Sequence, residues 1–303
     1  MINHLTYHLH FSPKEFDEQY NLRAGRPDYE VTVIPDWERK SAFVRQSYNC
    51  TLDIRYGNGE NQKLDVFHCG EKLAPTLVYF HGGYWQRGDK SMYSFLAKPY
   101  VDVGVNVVVV GYDLCPKVSI TRISEEARDS ISFIWRNSTE FDLNPNLITV
   151  MGHSAGGHIT QMMMATNWPN FGANFPKGLI RAGISLSPLS YLEPVRLTEA
   201  LNAGIRMDKG EAERESPLIN HPPLTNAPQL VVVGGQETTE FHRQAQMYVE
   251  AFNSNERVIE FLVVPKVDHF DELNILEDAT SAFFNKTIAL IKNESGRTQN
   301  NGT

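Results

Sequence analysis

The sequence predicts an α/β fold with a mostly parallel central sheet and helices on both faces. From Pro75 onward, short runs of continuous apolar residues alternate with helix-length segments. Fully apolar strands are what a parallel sheet covered on both faces requires. Before that series, two strand-like segments flank the turn-forming residues 56–59, which predicts an antiparallel hairpin at one sheet edge. We therefore expect a single domain over residues 1–303.

The elements follow in chain order. Residues 1–46 are rich in charged and aromatic side chains without a clear period, and we expect a partly helical arm laid on the domain. The predicted strands are the hairpin pair 52–55 and 63–67, followed by 77–80, 105–111, 147–151, 182–186, 230–233 and 259–264. The predicted helices are 91–103, 123–137, 156–166, 241–253 and 279–292.

Two segments fall outside the alternation of strands and helices. Residues 187–228 are rich in proline around a helical stretch, and they predict a small lid over the strand ends. Residues 293–303 are polar and predict a flexible tail.

Composition and charge exclude several classes of function. Hydrophobic residues at 41% and charged residues at 21% are typical of a globular protein with a sizeable core. A net charge of −8 offers no basic surface for nucleic acid or an anionic membrane. The first ten residues do not resemble a signal peptide, and no apolar run approaches the roughly 18 residues of a membrane span. We expect a cytoplasmic protein whose partner is a small molecule, and the sequence is compatible with a homodimer.

The cysteines predict neither a metal site nor a disulfide framework. Cys50, Cys69 and Cys115 lack zinc-ligand spacing, and an odd count argues against paired thiols. We expect each to be a small buried hydrophobic residue, and we expect no metal or cofactor.

The strongest motif is a strand-turn-helix segment centred on a serine, Gly152-His153-Ser154-Ala155-Gly156-Gly157. A sharp turn of this kind favours glycine two residues before and two after the serine, and it holds Oγ clear of the sheet. The start of the following helix supplies a positive dipole end and a free N–H at Ala155. Small residues at a tight turn can serve packing alone, but a strand before and a helix after favour Ser154 as a nucleophile beside an oxyanion donor.

A second motif, His81-Gly82-Gly83-Tyr84-Trp85, directly follows an apolar strand. Backbone amides must approach a developing oxyanion closely, and glycine permits this where a Cβ would obstruct it. We assign Gly82, Gly83 and the Tyr84 amide to an oxyanion hole. Tyr84 and Trp85 either wall a small acyl pocket and stack an aryl group or belong to the core.

A serine nucleophile needs a base, and the base needs a carboxylate, in the chain order serine, acid, histidine. His269 lies on a loop just past the last predicted strand, where the base belongs. Glu237 is the first acid after the strand 230–233. Glu240 is the alternative acid, and its other role would be to stabilise the N-terminus of the next helix. His158 is a further candidate for substrate contact.

Together these residues resemble the kynurenine formamidase (arylformamidase) group of the α/β-hydrolase superfamily. The group's HGGxW motif matches residues 81–85 and its GHSAG turn matches residues 152–156; the segments 237–244 and 267–270 are also similar. The likeness covers roughly residues 77–270. One departure is that the acid of this group is more usually aspartate, whereas Glu237 occupies the matching position.

The resemblance implies an α/β-hydrolase fold and hydrolysis of an N-formyl or other short acyl amide on an aromatic amine, through an acyl-serine intermediate. N-formylkynurenine is the type substrate. A short-chain carboxylesterase is the first alternative. The second is a non-catalytic binding protein on a hydrolase scaffold, because a fold does not determine a function.

Overall fold

The computed structural model describes residues 4–292, and its centre is an eight-stranded sheet in the order β1-β2-β4-β3-β5-β6-β7-β8. Strands β1 and β2 form the predicted hairpin, and β2 is also antiparallel to β4. All remaining neighbours are parallel. The strands are Cys50–Arg55, Lys63–Phe67, Thr76–Phe80, Asn106–Val110, Ile148–His153, Ile180–Leu186, Gln229–Gly234 and Ile259–Val264, numbered β1 to β8.

Helices precede the first strand, lie in the connections after β3, and follow the last strand. The α-helices α1 to α12 are Pro13–Tyr20, Ile34–Ser47, Ala97–Val101, Ile120–Arg136, Ala155–Met164, Glu193–Leu197, Glu199–Ile205, Lys209–Arg214, Pro217–Asn220, Thr239–Phe252, Asp271–Glu277 and Ala282–Ile291. Short 3-10 segments lie at His4–His10, Leu22–Gly25, Lys90–Leu96 and Trp168–Phe171, and a π-helical turn lies at Tyr29–Val33.

The inner strands of the sheet are buried on both faces, as their apolar sequences predict. Successive side chains of a strand point to opposite faces. In β3, Val78 and Phe80 pack in one core cluster with α4 and α5. Leu77 and Tyr79 pack in a second cluster with α2, α3 and α12. The predicted fold class, a mostly parallel sheet between two helical layers with an antiparallel edge, is confirmed.

Three local features differ from the sequence predictions. The predicted helix 91–103 is a 3-10 segment followed by the short helix α3. Helix α11 was not predicted, and it begins two residues after His269 because Asp268 accepts hydrogen bonds from the Phe270 and Asp271 amides at 2.9 Å each. Only Cys115 is fully buried; Cys50 and Cys69 are half-buried, since both lie near the exposed sheet edge.

The N-terminal arm is helical and is tied to the loops that follow β7 and β8. The Tyr20 hydroxyl donates to Glu240 at 2.8 Å. Arg26 pairs with Asp268 at 2.5 Å and with Asp271 at 3.0 Å. These contacts are buried or half-buried, so the arm is a fixed part of the structure at the carboxyl end of the sheet. Sequence patterns alone did not reveal this role.

The segment predicted as a lid, 187–228, forms the four short helices α6 to α9 between β6 and β7. The predicted tail 293–303 lies outside the described residues. Within residues 4–292, no helix is both long and apolar enough to cross a membrane.

A buried ion pair joins the 3-10 segment Lys90–Leu96 to the edge hairpin, and it provides a stability test. Lys90 contacts Asp65 at 2.6 Å and Asp53 at 2.9 Å, and the Asp65 side chain is 1% exposed. Lys90→Met leaves a buried carboxylate without its cation, so we expect a loss of about 3 kcal/mol in unfolding free energy. Urea unfolding of wild type and Lys90→Met measures this difference in unfolding free energy. The control Lys117→Met removes an exposed pair with Glu60 and should cost less than about 1 kcal/mol; equal losses in both variants would contradict the assignment.

Candidate active site

Ser154 lies on a strained turn between β5 and α5. Its backbone has φ 58° and ψ −117°, a combination that residues other than glycine rarely adopt. The turn is tight because α5 starts against β3: a Cβ on Gly156 would lie 2.0 Å from the Phe80 carbonyl oxygen. The Ser154 N–H donates to the Leu186 carbonyl at 2.8 Å, which fixes the turn to β6. The predicted serine turn is therefore present with the expected strand and helix.

His269 and Glu237 meet at the ends of β8 and β7. His269 Nδ1 lies 2.9 Å from Oε1 and 3.1 Å from Oε2 of Glu237. The Glu237 side chain is fully buried, and its Oε1 also accepts a short hydrogen bond from the Ser187 hydroxyl. A carboxylate at Nδ1 holds the tautomer with its hydrogen there and leaves Nε2 free to accept a proton.

The serine and the histidine line the same cavity. Among the described residues, no hydrogen bond joins the Ser154 hydroxyl to the His269 ring. Such contacts often tighten only when substrate binds. The geometry thus brings Ser154, His269 and Glu237 together in one site, without a hydrogen bond between the serine and the histidine.

Glu240, the alternative acid, belongs to a different cluster. Its carboxylate accepts two hydrogen bonds from Arg243, at 2.6 and 2.8 Å, and one from Tyr20. Its position in the first turn of α10 also suits a negative charge. The structure therefore brings Glu237 and not Glu240 to the histidine.

The four amides predicted as oxyanion donors are free. Within the described part of the chain, the N–H groups of Gly82, Gly83, Tyr84 and Ala155 donate to no protein group. Gly82 lies close to Ser154, since a Cβ there would lie 3.1 Å from Ser154 Cβ. Unpaired amides beside a nucleophile can stabilise a developing oxyanion.

A cavity of about 220 Å³ opens over these residues. An engineered cavity of roughly 150 Å³ holds benzene, so this one has room for a substituted aromatic ring. Its floor includes Gly82, Gly83, Ser154 and His269, and the lid contributes Ala200 and Leu201. Much of the remaining wall comes from the arm: Asp17, Tyr20, Asn21, Leu22, Arg23, Tyr29 and Trp37.

Tyr84 lines this cavity, but Trp85 and His158 do not. Both are fully buried, and the rings contact each other edge to face at 5.1 Å between centroids. His158 Nε2 lies 2.7 Å from the Glu215 carbonyl, and burial lowers the pKa of its ring to about 3. We therefore correct the predicted substrate contacts and assign Trp85 and His158 to the core, where His158 contacts the segment 187–228.

Sequence reasoning missed several residues of this site. Ser187 follows the carboxyl end of β6, where a small polar residue at φ 41° reaches Glu237; its place directly after an apolar strand was the available signal. Glu272 on α11 is fully buried 3.5 Å from His153 Nε2. The arm residues carried no signal, because their role depends on docking far along the chain.

Comparison with known proteins places the fold in a family. Residues 77–270 match the sequence model of a family described as having an alpha/beta hydrolase fold. The chain therefore belongs to the α/β-hydrolase fold family. Solved esterases share the fold at low identity, for example one from Pyrobaculum calidifontis with a TM-score of 0.68 and 17% identity over 93% of this chain and 97% of that chain.

More similar proteins narrow the class. The kynurenine formamidase of Salmo salar is 32% identical over 93% of this chain and 93% of that protein. The kynurenine formamidase of Danio rerio is 30% identical over 82% of this chain and 83% of that protein. A structure from Silicibacter sp. TM1040, provisionally described as a thioesterase, is 30% identical with a TM-score of 0.78, over 92% of this chain and 99% of that chain. The protein is thus a kynurenine formamidase-like α/β hydrolase, an enzyme of amide or ester hydrolysis.

Proposed function

We propose that the protein is a serine hydrolase that cleaves an N-formyl or short acyl amide of an aromatic amine, with N-formylkynurenine as the leading candidate substrate. The observation that carries the proposal is the His269–Glu237 pair at 2.9 Å, with the His269 ring lining the same cavity as Ser154. The kynurenine formamidases at 30 to 32% identity support the choice of an amide.

In the proposed reaction, Ser154 Oγ attacks the formyl carbon while His269 Nε2 takes the hydroxyl proton. Glu237 holds the ring and stabilises the imidazolium. The oxyanion forms beside the free amides of Gly82, Gly83, Tyr84 and Ala155, each of which is worth on the order of 3 kcal/mol in such sites.

Collapse of the tetrahedral intermediate breaks the C–N bond, and His269 gives its proton to the departing arylamine. A water molecule, deprotonated by the same ring, then attacks the formyl-serine and releases formate. The serine recovers its proton from His269, which closes the cycle without any other reactant.

The charges of the cavity support an amino acid as the substrate. Arg87 lines the wall, is exposed, and has no ion-pair partner among the described residues. Asp17 also lines the wall and forms no ion pair within them; it accepts only a 3.2 Å hydrogen bond from Asn21. A free guanidinium and a free carboxylate are complementary to an α-carboxylate and an α-ammonium group. Tyr29 and Phe270 line the same cavity with their ring centroids 4.4 Å apart, and these aromatic faces suit an aryl ring.

A substrate panel tests the proposal. N-formylkynurenine, formanilide, acetanilide and p-nitrophenyl acetate are compared on wild-type and Ser154→Ala protein. We expect kcat/KM to be highest for the formyl amide, and every activity to depend on Ser154. Cleavage of the ester without any cleavage of formanilide or N-formylkynurenine would favour the carboxylesterase. Absence of both hydrolysis and an acyl-serine adduct would favour a binding protein.

Arg87→Gln tests the assigned carboxylate contact. A charge-assisted hydrogen bond contributes about 1.5–3 kcal/mol, so KM for N-formylkynurenine should rise roughly 10-fold to 100-fold. Formanilide, which lacks a carboxylate, should be affected less than about threefold by the same change. Arg55→Gln, an arginine on the edge hairpin, is the matched control. An equal KM increase for both substrates would contradict the assignment.

A further inference from the structure

A second buried carboxyl group lies behind the candidate triad. Glu272 on α11 is fully buried, and among the described residues neither of its carboxyl oxygens has a partner with full hydrogen-bond geometry. The Ser187 hydroxyl and the Gly234 backbone face it, but the Ser187 proton is donated to Glu237. Nε2 of His153 is also buried without a hydrogen bond and lies 3.5 Å from Glu272 Oε2. Two unsatisfied polar groups that face each other at this distance indicate a shared proton, because a buried polar atom left unpaired is costly.

His153 connects this pair to the base. Its ring lies 4.4 Å from the His269 ring between centroids, and Phe241 contacts the same His269 ring at 4.9 Å. His153 directly precedes Ser154 in the chain. A shift of the His153 ring would therefore disturb both the base and the nucleophile.

The surroundings of Glu272 disfavour a negative charge on it. Burial, and next the neighbouring Glu237 carboxylate, raise the pKa of Glu272 well above its ordinary value. The Ser187 hydroxyl and the Gly234 backbone oppose this shift, and Asp268 adds to it. Tyr79 on β3 faces the same region with an unpaired hydroxyl.

Within residues 4–292, no lysine or arginine pairs with Glu272. Burial and the nearby His269 hold the pKa of His153 well below its ordinary value, so that ring is neutral. Arg26, which docks on the segment around the start of α11, is engaged with Asp268 and Asp271. Two adjacent buried carboxylates without a cation cannot both ionise at low cost.

We propose that Glu272 is a positioning residue, held as a neutral carboxylic acid whose O–H donates to His153 Nε2 and so fixes the ring that contacts His269. The neutral acid satisfies Nε2 without adding a second negative charge beside Glu237. His153 then carries its own hydrogen on Nδ1. This inference rests on the proposed role of His269 as the base.

The protonation half of the proposal is tested without substrate, by comparing unfolding of wild type and Glu272→Gln across pH. A Glu272 that stays protonated when folded but ionises when unfolded binds one more proton in the native state. The wild type then loses stability relative to Glu272→Gln as pH rises above the unfolded pKa of about 4.3, by about tenfold in the unfolding constant per pH unit until the folded pKa is reached. If the ratio of the wild-type and Glu272→Gln unfolding constants stays constant between about pH 5 and pH 8, Glu272 is not protonated in the folded protein.

The positioning half is tested by kinetics. The amide of Glu272→Gln can still donate to His153 Nε2, so kcat should stay within about threefold and the acidic limb of the kcat/KM profile should not move. Glu272→Leu removes the donor, and we expect kcat to fall roughly 10-fold to 100-fold with little change in KM. A Glu272→Gln variant as impaired as Glu272→Leu, or a shifted acidic limb, would contradict the proposal.

A double-mutant cycle shows whether Glu272 acts through His153. His153→Phe keeps a ring against His269 and removes the acceptor, so adding Glu272→Leu to it should cost little more. Additive losses would overturn the route through His153. Labelling of Ser154 by a fluorophosphonate separates the two proposals: a wild type that neither labels nor hydrolyses would overturn the proposed function and the positioning role together. Failure of the Glu272 tests in an active enzyme overturns the positioning role alone.

Discussion

Replacing Ser154 by alanine is expected to lower kcat by a factor on the order of 10⁵ to 10⁶, because the nucleophile of a triad acts as a unit with its base. Residual catalysis would come from the free amides and from binding alone. The measurement is the initial rate of formamide hydrolysis, with substrate binding followed separately. KM should change little, since Ser154 is 2% exposed and contributes little contact area.

The control for this variant is Ser190→Ala, which deletes another buried serine hydroxyl. Ser190 Oγ has no hydrogen-bond partner among the described residues, so its loss should be close to neutral for both activity and stability. Unfolding midpoints of both variants should lie close to that of wild type. A Ser154→Ala enzyme that keeps more than about one hundredth of wild-type kcat would exclude this serine as the nucleophile.

Replacing Glu237 by glutamine is expected to lower kcat by about 10⁴, the effect of the corresponding amide substitution in serine proteases. The amide N–H₂ would face His269 Nδ1 and favour the tautomer with its hydrogen on Nε2. In that tautomer Nε2 cannot accept the serine proton. The loss should appear in kcat and kcat/KM alike, since the pair acts in the transition state.

Two further variants sharpen the test at Glu237. Glu237→Asp restores the more usual acid of the related group but withdraws the carboxylate by one methylene, so we expect an intermediate loss of roughly 10-fold to 100-fold. Glu240→Gln should leave kcat within about threefold while lowering stability, because it weakens the buried contacts with Tyr20 and Arg243. A larger kcat loss at Glu240 than at Glu237 would reverse the assignment of the acid.

The fold was predictable because its signals are local. Apolar strands such as β3 and β4 are buried at every position, and this shows as continuous apolar runs in the sequence. Helix α11 was missed because its start is set by hydrogen bonds that the Asp268 carboxylate accepts from the Phe270 and Asp271 amides. The surrounding loop carries no helical period. The predicted helix 91–103 is divided into a 3-10 segment and the short helix α3 for a similar reason, because periodicity does not distinguish short irregular helical segments from one continuous helix.

The sequence by itself determined the serine turn, the glycine loop and the order of serine, acid and histidine, because each follows a strand whose pattern is legible over a few residues. Only the tertiary structure decided the rest. It places Glu237 and not Glu240 beside His269, and it buries Trp85 and His158 in the core. The N-terminal arm forms part of the cavity wall. It also set Ser187 and Glu272 behind the pair. These outcomes depend on packing between segments far apart in the chain, which periodicity and motif spacing do not encode.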